Sequence, residues 1–350
     1  MVTGRHRGMT LVELMVGLVI GLMIVGVVIT VFVNANRNFS QDQLIGRMQE
    51  NARYAMRMIA TDLSMVGFWG PLIDSSAVNT QIRNCTTGLD PDDATKCGGF
   101  FQDSVLDMAV ADDCGPGTGA TAPVNWAYDM SRFVEVVNES SAANAESTFV
   151  CIDNLDFQAG TDILAIKRLR GRSLDAARGD SGDNGKIFLR TNGDAAMVLQ
   201  YDHQAAAPSA TEDWEYLVHV YYIQDHFTSS GDAIPSLYRK RLNSSTMDTE
   251  SGGVAEGIEY VHVTFGIDIP ADGVPDYYIS NPGDAEMRAA VTAKIYVLAR
   301  SINPDPLYTN AKSYQLGDVT KSFAGNPDNF YRRVFTTTVQ LRNRINLKHI

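Results

Sequence analysis

Three groups of residues in this 350-residue chain have types and spacings that could do chemistry. The first is one carboxylate, Glu13, at the head of a long apolar run. A charge there costs about 2.5 to 3.5 kcal/mol if it reaches the centre of a bilayer and less near the surface, so it needs a partner or a purpose. The second is the four cysteines, Cys85, Cys97, Cys114 and Cys151, which form no C-x-x-C pair and have no histidine spacing suited to zinc. An even count in a chain with an export signal favours two disulfides. Three connectivities are open, and the sequential one, Cys85 with Cys97 and Cys114 with Cys151, is preferred. The third is Asp268, Asp272 and Asp276 around Gly273. Their spacing is loosely that of a calcium loop but lacks the terminal glutamate and the tight ligand spacing, so a solvated turn is favoured over a calcium site, and no cofactor is expected.

Nothing else suggests catalysis. There is no G-x-S-x-G, H-E-x-x-H or P-loop pattern, and the six histidines are scattered. His219 and His262 fall in alternating apolar stretches and read as ordinary sheet residues rather than ligands. The net charge of −12 argues against nucleic acid, which wants clustered Lys and Arg. With 45% hydrophobic residues, the chain can build a real core.

The elements that must position Glu13 are legible. Residues 14–33 hold only one non-glycine polar residue, Thr30, and are long enough to cross a bilayer as a helix. Arg5, His6 and Arg7 precede them, which places the N-terminus in the cytoplasm and the rest outside. An ordinary secretory signal fits poorly, because the apolar run is too long and no small-residue cleavage site follows it. Beyond the run, Leu44, Met48, Ala52, Ala55, Ile59, Leu63 and Val66 recur at helical steps, with Arg47, Glu50, Arg53 and Arg57 elsewhere on the wheel. No proline occurs before Pro71. One helix over residues 10–66, on the order of 85 Å long, is therefore expected. Gly17 and Gly21 make a weak small-xxx-small pair.

The segment Gly8-Met9-Thr10-Leu11-Val12-Glu13-Leu14 resembles the type IV prepilin signature. That resemblance implies a leader of residues 1–8, cleavage by a prepilin peptidase between Gly8 and Met9, and N-methylation of Met9. It also implies that Glu13 sets register in assembly by pairing with the terminal amine of a neighbouring subunit. Met9 stands where the family usually has phenylalanine, but the glycine before the cut is the demanding position. Many major pilins carry a helix-loosening proline near the position of Thr30, and this chain has none.

Farther along, residues 49–55 and 62–70 resemble the stalk-to-head joint of W-type minor pilins (PilW). The strand-like stretches at 215–225, 236–241, 256–268, 294–300 and 332–344 resemble the W-type head. Residues of about 80–210 lie outside the resemblance. They are rich in Gly, Ala, Asp and Ser, hold the cysteines, and carry short strand candidates at 162–168, 186–190 and 197–201 with a loop at 171–185. An insertion on the head is expected there, the usual place for a binding surface.

The expected fold is pilin-like α+β: a long N-terminal α-helix over 9–66, transmembrane at about 14–33, packed on an antiparallel β-sheet head over 67–350 with insertions. The implied function is that of a minor pilin that helps prime type IV pilus assembly and sits at or near the tip. It would begin in the inner membrane with its head in the periplasm and finish in a cell-surface pilus. Implied partners are the prepilin peptidase, other minor pilins, the major pilin, the inner-membrane assembly platform and a tip adhesin. Two rivals share the stalk: a type II secretion pseudopilin, and an adhesin whose ligand-binding residues would lie within 85–185.

Overall fold

The computed structural model describes residues 8–72, 110–115, 126–130, 132–140, 149–152, 157–174, 185–193, 196–200, 211–229, 231–250 and 252–343. The chain divides into two compact units, Met1–Arg47 and Met48–Ile350. Helix α1, Leu11–Ser64, runs through both, close to the expected span. In the first unit its apolar side chains, from Leu11 to Val33, all stand exposed. Thr30, the polar residue among them, closes its hydroxyl onto the Gly26 carbonyl at 2.9 Å, so it does not break the helix or leave a donor unpaired.

In the second unit the same helix becomes one-sided. Met48, Ala52, Ala55, Ile59 and Leu63 are buried, at steps of three and four residues, as the periodicity requires. Each large side chain among them contributes about 1.5 to 3 kcal/mol by leaving water. The helix ends in tight turns, with the Met65 and Val66 amides donating to the Asp62 and Leu63 carbonyls. Gly67 then takes a left-handed φ of +72°, and a Cβ there would stand 2.4 Å from the Asn343 carbonyl oxygen. Only glycine fits where the exit of α1 meets the backbone at Asn343.

The head is built from antiparallel sheets. The larger contains β1 (Val134–Ser140), β2 (Thr161–Leu169), β3 (Ile187–Thr191), β4 (Ala196–Gln200), β5 (Glu212–Gln224), β6 (Ser236–Asn243), β7 (Thr246–Thr249) and β8 (Ala255–Glu256). Its main order is β1-β2-β5-β3-β4, with β6 on β5 and β7 and β8 on β6. The second sheet, β10-β9-β11-β14, comprises β9 (Ile258–Ile267), β10 (Tyr277–Ile279), β11 (Ala290–Arg300) and β14 (Arg332–Gln340). A short helix α2 (Asp284–Ala289) leads into β11, and β12 (Ser313–Leu316) with β13 (Val319–Ser322) makes a hairpin.

The stretch expected as an insertion supplies β1 to β4, which hydrogen-bond into the same sheet as β5. All nine residues of β2 are buried, because the strand is covered on both faces. One face, with Ile163, Ala165, Leu169, Tyr216, Val218 and Val220, packs with Trp126, Phe149 and the cysteines Cys114 and Cys151. Arg168, His219 and Tyr221, from alternate positions, all meet the carboxylate of Asp62 in the last turn of α1. In the second sheet, Tyr260 and Leu298 pack beneath Leu316 of the hairpin.

Candidate functional site

The N-terminal residues come together as a capping box. The Glu13 amide donates to the Thr10 hydroxyl at 3.3 Å, while Glu13 Oε2 accepts the Thr10 amide at 2.9 Å and its hydroxyl at 3.0 Å. These contacts satisfy two helix-start donors reciprocally. The signal was present as Thr10-x-x-Glu13, a spacing that the sequence reading passed over. Gly8 and Met9 lie just before this box and are exposed, Met9 by 72%. Both contacts of the carboxylate use Oε2. The carboxylate stands in the first turn of α1, a helix long and apolar enough to cross a membrane.

The second constellation is one the sequence reading missed. Asp62 is buried, yet its carboxylate has four donors: Arg168 Nη2 at 2.6 Å and Nε at 3.0 Å on Oδ1, and His219 Nδ1 and Tyr221 Oη at 2.5 Å each on Oδ2. Burial raises its proton affinity. The charge and hydrogen bond of His219, the charge of Arg168 and the bond from Tyr221 outweigh that and hold the acid well below the usual carboxylate range. Helix, β2 and β5 are thereby tied at one point. His219 is a sheet residue, as expected, and its partner is an acid on the helix.

His262 plays the same part in the second sheet. Its Nδ1 lies 2.5 Å from Asp162 of β2 and its Nε2 2.7 Å from Asp318 of the hairpin turn. Two carboxylates on two ring nitrogens require both nitrogens to donate, which only the imidazolium does. Burial pushes His262 down, but the hydrogen bonds and charges of Asp162 and Asp318 lift it above the ordinary histidine value. Tyr260 donates to the other Asp162 oxygen at 2.6 Å, and Ser280 to Asp318 at 2.8 Å.

Cys114 and Cys151 form a disulfide with Cα atoms 4.5 Å apart, which is one of the two sequential pairs expected. Cys85 and Cys97 lie outside the described residues. Around the bond, Asp113 accepts the amides of Cys114, Trp126 and Ala127. Lys167 of β2, fully enclosed, donates to the carbonyls of Trp126 at 2.5 Å and Asp129 at 2.9 Å, with its ammonium 3.9 Å over the Trp126 ring. Burial lowers this lysine to about 8. The bonds staple the cysteine layer to the sheet.

The acidic loop uses its carboxylates on itself. Asp268 accepts the amides of Asp272 and Gly273 at 2.9 Å, Asp272 that of Val274 at 2.9 Å, and Asp276 that of Ile269 at 2.7 Å. This is turn bracing of the kind Asp supplies. Among the described residues no group of three His, Cys, Asp or Glu is placed to hold a metal ion.

Residues 220–343 match the family described as type IV pilus-assembly protein W, and residues 3–29 match the prokaryotic N-terminal methylation motif. The type IV-like pilin TTHA1219 from Thermus thermophilus is similar in structure at 13% identity, over 53% of this chain and 80% of that one, with a TM-score of 0.26. No curated protein matches the chain in sequence.

Proposed function

We propose that this chain, a minor pilin of the W type, is a structural subunit that helps prime a type IV pilus at the inner membrane and stays at or near its tip. The observation that carries the proposal is the capping box of Thr10 and Glu13, set directly after Gly8-Met9 and directly before an exposed apolar helix. A peptidase that cuts after Gly8 leaves a new amine on Met9, one residue ahead of the box. Glu13 Oε2 is already engaged in the helix's own start, so Oε1 is the oxygen that meets the methylated ammonium of a neighbouring subunit. In a low-dielectric filament that pairing is what makes a carboxylate tolerable at the head of an apolar helix.

The apolar surface of α1 lies in lipid first and among the helices of other pilins afterwards. Extraction exchanges one apolar surrounding for another, so packing and the Glu13 pair set where the subunit stops. The head carries the periplasmic half, with the stalk-to-head joint locked by Asp62. Partners are then the prepilin peptidase, the other minor pilins, the major pilin and the assembly platform, and the subunit is not an enzyme. The test is a pull-down of the full-length chain from detergent-solubilised membranes. Pilus components should accompany it, and recovery of secretion-system components alone would overturn the reading.

A further inference from the structure

The second sheet ends on a long strand with one open side. At one end of β14 the Tyr331 carbonyl accepts the Ser301 amide, and at the other the Leu341 amide donates to the Val291 carbonyl, each at 2.8 Å, with an unbroken antiparallel register to β11 between them. Backbone groups alternate in direction along such a pair. Arg333, Phe335, Thr337 and Val339 therefore bond to β11, while Val334, Thr336, Thr338 and Gln340 turn their amides and carbonyls to the other side. Among the described residues β14 pairs with no other strand, and Thr336, Thr338 and Gln340 are exposed. An open edge is a template for another strand, and folded proteins blunt it by shortness, a bulge, proline or charge. Elsewhere the edges are short or irregular: β10 has three residues, β4 has five, and β1 shifts register between Val137 and Ser140. β14 has nine residues, with no proline, no register shift and no charge from Val334 to Gln340.

β14 follows the direction of α1. Arg332 at its start grips Glu259 of β9, and just ahead of β9 the Glu256 carbonyl accepts the Asn51 side chain at 3.1 Å. Beyond its end the Asn343 side chain donates to the Ser64 carbonyl at 3.5 Å. Two copies joined by antiparallel β14 strands would thus have antiparallel α1 helices, whose apolar starts cannot enter one membrane from the same side. A parallel pair of the same two edges needs a stagger of one residue, which a two-fold axis does not give. A second copy is therefore excluded as the occupant. The charge of the occupant follows from the strand's surroundings. Residues 329–350 hold no Asp or Glu in a chain of net charge −12, and Arg333 and Arg342 stand exposed on either side of the uncharged stretch.

We propose that the open edge of β14 docks an antiparallel strand of a different protein, with β-branched residues in its middle and carboxylates toward its ends. Backbone hydrogen bonds to Val334, Thr336, Thr338 and Gln340 supply the attachment, as in other cases of strand addition. Threonine and valine side chains pair across the new seam, and the carboxylates meet Arg333 and Arg342 and set the register. This surface belongs to the head, and the inference rests on the apolar start of α1 lying in a membrane, not on the kind of filament the chain enters.

The test is photo-crosslinking of the full-length chain in cells, with benzophenone side chains placed in turn at Thr336, Thr338 and Gln340 and the adducts mapped by mass spectrometry. One protein other than this chain should be captured, through one segment that carries carboxylates. Each two-residue step along β14 should move the adduct two residues toward that protein's N-terminus. Thr336→Pro removes an outward amide at an edge position where proline is tolerated, so thermal melting should hold while the adduct at Thr338 falls about tenfold. Arg333→Glu should reduce the same adduct without altering the backbone. Adducts between two copies of the chain, adducts scattered without that step or stepping the same way as β14, or no adduct in membranes and filaments overturn the proposal. An undiminished adduct in folded Thr336→Pro or in Arg333→Glu overturns it equally.

Discussion

Asp62 and Arg168, 106 residues apart in sequence, meet as a buried ion pair 2.6 Å long at the end of the stalk helix. A single carboxylate there holds the helix to two strands of the central sheet, since His219 and Tyr221 of β5 close on its second oxygen.

Asp62→Ala is expected to destabilise the head by about 3 to 5 kcal/mol, because it leaves the Arg168 guanidinium buried without its partner. Near-ultraviolet circular dichroism melting of the full chain in detergent measures this. The acid side follows from the sign of the shift. Asp62 sits below its ordinary 3.8 in the folded chain, so its contribution is present above that pH and fades as pH falls through the lower folded value. Melting temperatures for the wild type should drop steeply at low pH, and the Asp62→Ala protein should show less of that drop.

His262 gives an opposite slope at higher pH. Its folded value is raised above 6.5, so the stabilisation from Asp162 and Asp318 is complete below pH 6.5 and is lost as pH rises through the folded value. Denaturant midpoints should fall with pH on the alkaline side of 6.5, and His262→Gln should flatten that decline. An unchanged slope in His262→Gln would show that another group titrates.

Reducing the Cys114–Cys151 bond opens a loop of 37 residues and should cost the head about 3 to 4 kcal/mol on chain-entropy grounds. The Cys114→Ser, Cys151→Ser double variant in full-length protein, melted beside the wild type, checks this. Equal melting temperatures would mean that Lys167 and Asp113 hold the layer without the bond.

The helix and the main strands were legible because their signals are periodic: Met48, Ala52, Ala55, Ile59 and Leu63 for α1, and the alternating runs that became β5, β9, β11 and β14. The strand candidates at 162–168, 186–190 and 197–201 appear as β2, β3 and β4. What composition hid was their membership in the same sheet as β5, since pairing between distant segments leaves no local trace. β1 and the β12–β13 hairpin went unread because their strands are short or polar. At the site, Glu13 was legible from its place in an apolar run. Asp62 was not, because an acid on an amphipathic helix looks solvated until Arg168, His219 and Tyr221 arrive from strands far along the chain.

Glu13→Gln separates the two tasks given to that residue. A glutamine still accepts the Thr10 amide and keeps the capping box, whereas Glu13→Ala removes it at a cost of about 1 kcal/mol to the helix start. Both variants should insert, be processed and fold. Both should be depleted from sheared filaments if the neighbour's ammonium is the partner. Normal incorporation of Glu13→Gln would assign the residue to helix capping alone.

The most direct measurement is the mass of the N-terminal peptide of the chain recovered from membranes and from sheared filaments. A W-type minor pilin should begin at an N-methylated Met9, with residues 1–8 gone in both fractions. A chain that still begins at Met1 in filaments, or one cut beyond the apolar run of residues 14–33, would contradict it.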